Sequence, residues 1–399
     1  MEKSLYIHIP FCRKKCDYCD FFSVPCKGNI PDEYISALKN EISFLKDFYK
    51  ISSWRTVYIG GGTPSLLTEK QIGDLCSFLA KDFSSDNGVK NIAEKEFTIE
   101  MNPDDIRESL LDVAYSSGVN RLSIGVQSLN DAALKAVNRR CTRETTLKAL
   151  ELVKKNWCGS LSLDAIAGLP EQNTDEFLQS LKEIVSYEPS HISLYSLMIE
   201  EGTPLFSRIS KGELLYNEDE SEEQWLLGKS FLTEKDFLQY EVSNFAIKGK
   251  ESKHNSVYWH LEDYLGAGSG ATGSLFGDNA IRWTNTADIK KYIEYWTGKE
   301  NKSILTAPRE NENLDMETQE EEFLMMGFRL LSGVSEREYK KRFSKDLGER
   351  LGAKDGVFAK WQSRGDARII ENANKNGERF YALTDKGILF LNKYLEEIL

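Results

Sequence analysis

No apolar run in this chain approaches the roughly 18 residues needed for a membrane-spanning helix, so none is expected. The first residues, MEKSLYIHIPFC, lack both the basic flank and apolar stretch of a secretory signal and the character of a transit peptide. A cytoplasmic setting follows as the expectation. Basic residues do not predominate: 51 Lys and Arg against 63 Asp and Glu leave a formal charge of −12 and a pI near 5.1. No Lys/Arg cluster suited to a phosphate backbone stands out, which argues against a nucleic-acid partner. The short basic run Arg13-Lys14-Lys15 lies inside the cysteine motif and is read as a solvated loop. Tandem repeats and long low-complexity stretches are missing. So is an even, spaced cysteine framework: seven cysteines, three of them crowded, point to metal or redox chemistry and not to disulfides. Cys26, Cys76, Cys141 and Cys158 are scattered and read as buried or incidental thiols.

What is present is ordinary for a soluble globular chain: 40% hydrophobic and 29% charged residues over 399 positions, enough for two domains and a large core. Short β-rich runs alternate with amphipathic stretches. The strand candidates are 4–10, 56–61, 96–102, 121–127, 160–168 and 191–198; helices are predicted at 32–49 and 145–155, and another over 72–80 behind a Thr68/Gln71 capping box. Six βα units before residue 200 predict an α/β fold, a partial (β/α)6 TIM-like barrel, with a doubly wound sheet as its rival. Polar or Gly-rich groups end successive runs: the cysteine loop, GGGTP at 60–64, Glu100, Gln127 and Asp164. In βα barrels the active site is built at that face. The expected division is a barrel with an extension over 1–290, a linker over 291–319, and a C-terminal helical, winged-helix-like domain over 320–399. For that last unit a packing or lid role is favoured over DNA binding.

CRKKCDYC places Cys12, Cys16 and Cys19 at C-x3-C-x2-C spacing. Thiolates suit zinc or iron–sulfur clusters. A structural zinc site needs a fourth ligand, for which Cys26 and His8 are the candidates. Three plain core thiols fit poorly beside Arg-Lys-Lys. A [4Fe–4S] cluster held by three cysteines leaves one iron open for a ligand.

YIHIPFCRKKCDYCDF resembles the signature of the radical S-adenosylmethionine (SAM) family, and more narrowly the group related to oxygen-independent coproporphyrinogen III oxidase. The resemblance runs in order through GGGTPS (60–65), IEMNPDD (99–105), SIGVQSLND (123–131), LDAIAGLPEQ (163–172) and HNSVYW (254–259). It implies a [4Fe–4S] cluster on Cys12, Cys16 and Cys19, with SAM chelating the fourth iron and being cleaved to a 5′-deoxyadenosyl radical by an electron from an unidentified donor. It implies SAM contacts from Tyr6, Tyr18, Gly61, Gly62, Thr63, Glu100, Gln127, Arg139 and Asp164. Alone, GGGTP reads as a strand-to-helix turn, and each polar residue as a solvated or capping group. Many relatives carry His two residues after the Arg139 position; here it is Cys141.

Within that group, the porphyrin-decarboxylating enzyme has a fourth motif cysteine where this chain has Phe21, and a longer segment before the motif. The haem-chaperone branch instead has CDF and H-N-x-x-Y-W, matched by Cys19-Asp20-Phe21 and 254–259. The resemblance therefore implies haem contact from His254, Asn255, Tyr258 and Trp259, with His8, His191 and His260 as weaker ligand candidates. The partners implied are haem and a haem-acceptor protein, with transient contact with a membrane protein left open. Alternatives are a radical SAM enzyme acting on a porphyrin and a zinc-stabilised non-redox barrel.

Overall fold

The computed structural model describes residues 1–83, 95–352, 356–372 and 377–399. Six parallel strands lie side by side in chain order: β1 (Glu2–Ile9), β2 (Ser53–Gly61), β3 (Glu96–Met101), β4 (Arg121–Gln127), β5 (Ser160–Ala167) and β6 (His191–Ser196). Each expected run is one of them. A doubly wound sheet reverses its strand order within its first βα units, at a switch point; β1 to β6 run in unbroken chain order, so the barrel-type reading holds. β1 and β6 do not pair with each other. β1 takes Tyr264–Ala267 as a further parallel neighbour, and β6 takes Asn244–Ala246 as an antiparallel one. Strands Thr272–Leu275, Ile281–Asn285 and Arg309–Asn313 continue the sheet antiparallel beyond Tyr264–Ala267.

The segment expected to be a linker, 291–319, is instead ordered. It contains most of helix Ile289–Thr297, the edge strand Arg309–Asn313 and the start of helix Met316–Gly327. Its polar composition misled because an edge strand needs few apolar side chains: RENEN pairs by backbone with Ile281–Asn285, and four of its five residues face solvent.

Alternation along the strands positions the site. Leu5, Ile7 and Ile9 of β1, Val57 and Ile59 of β2, and Phe97 and Ile99 of β3 are fully or almost fully buried in the main core beneath the helices. Each such side chain contributes about 1.5–3 kcal/mol relative to exposure. The alternate residues face the lumen and are polar: Ser4, Tyr6 and His8, Thr56 and Tyr58, Thr98 and Glu100, Ser123 and Gln127, Ser162 and Asp164. Closed βα barrels fill that space with branched aliphatic side chains. A polar lumen is costly unless its groups are bonded or bind a ligand.

Helix Glu69–Ala80 shows how local sequence fixes an element. Thr68 Oγ1 accepts from Gln71 N at 3.2 Å, and Gln71 Oε1 accepts from Thr68 N at 3.1 Å, completing the expected capping box. The helix then buries Ile72, Leu75, Cys76 and Leu79.

Beyond helix Met316–Gly327, three short helices precede a ribbon, Ala367–Asn372 with Glu378–Leu383, which also pairs with Val334–Ser335; helix Leu391–Ile398 ends the chain. This is the expected helix-and-ribbon order. Phe323, Phe328, Tyr339, Trp361 and Tyr394 form its core, which Leu261 of the main body joins.

Candidate functional site

After β1 the chain turns at Pro10. Phe11–Cys12 then pairs in parallel with Val24–Pro25, so residues 12–25 form a closed loop over the strand ends. The loop is stapled from several sides. Arg13 Nη1 donates to Gly28 O at 2.7 Å, and Lys15 Nζ donates to Phe21 O at 2.9 Å, so two members of the basic run brace the loop backbone. Asp17, missed by sequence reasoning, is buried and anchors the loop. It accepts from Arg208 Nη1 at 2.9 Å and Asn138 Nδ2 at 3.0 Å. His8 Nε2 donates to Phe22 O at 2.9 Å, and its Nδ1 accepts from the Tyr6 hydroxyl at 2.9 Å.

Cys12 is buried in this loop; Cys16 and Cys19 are half-buried. Burial pushes the Cys19 thiol up, Phe21's backbone opposes this, and the neighbouring Cys16 and Cys12 add to the rise. Among the described residues, no three His, Cys, Asp or Glu side chains already form a metal-holding group; a cluster would draw the three thiols together on binding. The two candidate fourth ligands for zinc are both engaged elsewhere. His8 has both ring nitrogens bonded, and Cys26 Sγ donates to Gly28 O at 3.3 Å.

Below the loop, the expected SAM residues converge. Gly61 has φ +112° and its N–H donates to Glu100 Oε2 at 3.1 Å. A Cβ on Gly62 would lie 2.8 Å from Phe11 O and 2.9 Å from Ile9 O, so only glycine fits there. Thr63 Oγ1 donates to Cys12 Sγ at 3.4 Å. Arg139 donates from Nη1 to Cys16 Sγ at 3.5 Å and to the Tyr18 hydroxyl at 3.3 Å, and from Nη2 to Gly125 O. Tyr18 packs on the apolar group formed by Ile166, Leu169 and Leu197. Burial pushes Glu100 up to about 7, with the Asp164 charge adding to it, and pushes Asp164 up to about 6 against the pull of Ser193, Arg121 and Arg139.

Among the described residues, three buried polar atoms of this group have no partner: Gln127 Oε1, Arg139 Nε and Asp164 Oδ1. Gln127 is also held at φ +71°, a conformation a side chain seldom adopts outside functional sites. Two acceptors and one guanidinium donor match a ligand carrying hydroxyls, an ammonium and a carboxylate. SAM has that donor and acceptor set, so these residues fit it.

The segment expected to contact haem lies elsewhere. Helix Lys253–Trp259 sits at the opposite, strand-start end of the barrel. Glu96, the first residue of β3, caps it: Oε1 accepts from His254 N at 2.9 Å and Ser252 Oγ at 3.2 Å, and Oε2 from Lys253 N at 3.0 Å. His254 is fully buried. Its Nδ1 lies 2.7 Å from Thr56 Oγ1, its Nε2 2.9 Å from the Tyr258 hydroxyl, and its ring stacks on Tyr58. Burial lowers it to about 3, so the ring is neutral with both nitrogens occupied. His254 is thus placed as a lumen residue of a helix that plugs the barrel. Tyr258 packs edge-on to Tyr264, and Trp259 lies under Arg329. Asn255 is half-buried on the same helix.

The radical SAM superfamily model matches residues 6–184, the span that carries the cysteine loop and all the residues expected to contact SAM. The superfamily implies SAM and a [4Fe–4S] cluster. The computed fold is similar to coproporphyrinogen III oxidase (HemN) from Escherichia coli, with a TM-score of 0.80 and 22% identity, covering 100% of this chain and 90% of that one. Among curated relatives, the chain is 35% identical to the heme chaperone HemW of Lactococcus lactis over 99% of its own length and 97% of that protein, and 32% identical to that of Escherichia coli over 98% and 97%. It is also 33% identical to mouse radical S-adenosyl methionine domain-containing protein 1, mitochondrial, over 85% of this chain and 75% of that protein. The chain belongs to the radical SAM superfamily and, within it, to the HemW family. No helix among the described residues is long and apolar enough to cross a membrane.

Proposed function

We propose that this protein is a haem chaperone: it binds haem and passes it to an acceptor protein. The end-to-end similarity to heme chaperones HemW carries this reading. Phe21 agrees with it. At the position where a porphyrin-decarboxylating relative has cysteine, this side chain is 65% exposed.

Cys12, Cys16 and Cys19 would hold the cluster. Arg139 would take the SAM carboxylate, Asp164 and Gln127 its hydroxyls or ammonium, and the Gly61–Thr63 turn its methionine end. Bound together, cluster and SAM supply one-electron chemistry. The loop that would carry them is held over the barrel by Asp17, His8 and Lys15. The test is titration of the purified, reconstituted chain with haem, followed by mixing with a haem-free acceptor. Stoichiometric binding and transfer, with no decarboxylation of coproporphyrinogen III, support the chaperone. Decarboxylation without haem binding would reverse the assignment.

A further inference from the structure

Three phenols of the lumen are each bonded to a base. The Tyr6 hydroxyl donates to His8 Nδ1 at 2.9 Å; the ring proton of His8 sits on Nε2, because the Phe22 carbonyl that Nε2 meets can only accept. The Tyr58 hydroxyl donates to Glu100 Oε1 at 2.7 Å. Thr56 Oγ1 directs its proton to Ser4 Oγ at 2.8 Å and so accepts from His254 Nδ1, which leaves His254 Nε2 to accept from the Tyr258 hydroxyl at 2.9 Å. All three separations fall in the range over which a proton is passed along a hydrogen bond, roughly 2.6–3.2 Å.

The same rings touch one after another along the lumen. Tyr6 stacks on Tyr58 with centroids 6.2 Å apart, and Tyr58 stacks on His254 at 5.2 Å. His254 meets Tyr258 edge-on at 5.3 Å, and Tyr258 meets Tyr264 edge-on at 4.8 Å. At the strand-end side, His8 stacks on Phe22 of the cysteine loop at 6.1 Å. At the other side, Tyr258 and Tyr264 are half-buried. Packed rings alone are ordinary core. Packed phenols that each hold a proton acceptor are what one-electron oxidation of tyrosine requires. An oxidised phenol is a strong acid and gives its proton even to a buried imidazole.

We infer that Tyr6, Tyr58 and Tyr258 form a relay that carries oxidising equivalents from the cysteine-loop end of the lumen to the strand-start end. The oxidant is a one-electron acceptor of the ferryl or organic-radical class, formed beside the loop. It takes an electron from Tyr6 as the phenol proton moves to His8 Nδ1. Tyr58 then gives an electron to Tyr6, which takes its proton back from His8, while the Tyr58 proton moves to the Glu100 carboxylate. Tyr258 gives an electron to Tyr58 across the His254 ring. Tyr58 recovers its proton from Glu100, and the Tyr258 proton passes to His254 Nε2. A reductant of the thiol or ascorbate class returns one electron to Tyr258, which recovers its proton from His254. Each phenol ends as it began, and one electron has gone from the reductant to the oxidant.

The relay goes beyond the haem-carrying reading and does not depend on it. Cys12, Cys16 and Cys19 put oxidisable thiols in the loop. The relay discharges an oxidant formed there at the far end of the barrel, away from them.

The test is flash photolysis of the full chain carrying a ruthenium tris-bipyridine photo-oxidant, clicked to p-azidophenylalanine at position 21 and used with an irreversible quencher. Phe21 is exposed and adjoins Phe22. Cys12→Ser, Cys16→Ser and Cys19→Ser remove competing thiols from this parent chain. The parent should form a neutral tyrosyl radical, read by electron paramagnetic resonance, more slowly in heavy water than in light, and ascorbate should discharge it. Tyr6→Phe should lose the radical. Tyr58→Phe should strand it on Tyr6 and Tyr258→Phe on Tyr58, so that in both it outlives the parent's radical in ascorbate. Tyr115→Phe, which alters an exposed ring outside the lumen, should change nothing. Radical formation intact in Tyr6→Phe overturns the relay. So does the same ascorbate decay in the parent, Tyr58→Phe and Tyr258→Phe.

Discussion

The Tyr58 hydroxyl donates to Glu100 at 2.7 Å, while the ring of Tyr58 stacks on His254 with centroids 5.2 Å apart. One side chain thus links the helix that plugs the barrel to the carboxylate that holds Gly61 in the turn proposed to meet SAM. Tyr58→Phe removes only the hydroxyl. It should weaken SAM binding by roughly the net worth of a hydrogen bond to a charged or partly charged group, about 1.5–3 kcal/mol, with an unchanged far-UV spectrum. Calorimetric titration with SAM measures it; equal affinity in the two proteins would show that Tyr58 does not position Glu100.

Glu100 also sets a pH dependence. Its carboxyl is raised from 4.5 to about 7 chiefly by burial. The protonated form is favoured by folding, so this contribution is complete below about pH 4.5 and is lost as pH rises through 7. The loss is on the order of 3 kcal/mol for the SAM-free chain. Asp164, raised to about 6, acts in the same direction over a lower window. Glu100→Gln should flatten the fall in unfolding free energy between pH 5 and pH 8. Denaturant melts across that range decide it, and identical slopes would contradict the burial argument.

Gly62→Ala places a methyl group 2.8 Å from the Phe11 carbonyl oxygen, where backbone must shift. The shift would move the residue that precedes Cys12. We expect the variant to fold but to retain less reconstituted iron and sulfide than the wild type. Metal analysis after desalting provides the comparison with Gly28→Ala, whose added methyl meets nothing within 4 Å.

Asp17 joins the cysteine loop to Asn138 and Arg208. Asp17→Ala leaves a half-buried guanidinium without its carboxylate and should cost about 1–3 kcal/mol. Cluster retention should fall as well, because only the backbone bond from Asp17 N–H to Val137 O, at 3.0 Å, is left to tie the loop to the 137–139 turn. A melting temperature within error of wild type would show the ion pair to be idle.

Glu96 is a buried cap for helix Lys253–Trp259, accepting three donors from Ser252, Lys253 and His254. Glu96→Ala should destabilise the chain by about 2 kcal/mol or more. Glu96→Gln retains one acceptor oxygen and should recover part of that loss. Equal stability of the two variants would remove the capping account.

The strands and the cysteine loop are legible in the amino-acid sequence because their signals are local. Alternation of period two marks β1 to β6, and Thr68 with Gln71 announces a helix start. C-x3-C-x2-C with GGGTP and the later motifs points to the residues proposed to hold SAM, and the fold brings the cysteine loop, Gly61, Thr63, Glu100 and Arg139 into contact with one another. The edge strand at 309–313 is illegible because its pairing is made by backbone groups, which leave no mark in the side chains. The same limit applies to the histidines. The H-N-x-x-Y-W motif puts His254 first among them, yet whether an imidazole is free depends on what touches its two nitrogens. Thr56 and Tyr258 occupy both nitrogens of His254, contacts brought together by the fold. Sequence by itself determined the chemistry the chain can carry. Only tertiary structure decided which end of the barrel presents each group, because burial and hydrogen-bond partners come from residues distant along the chain.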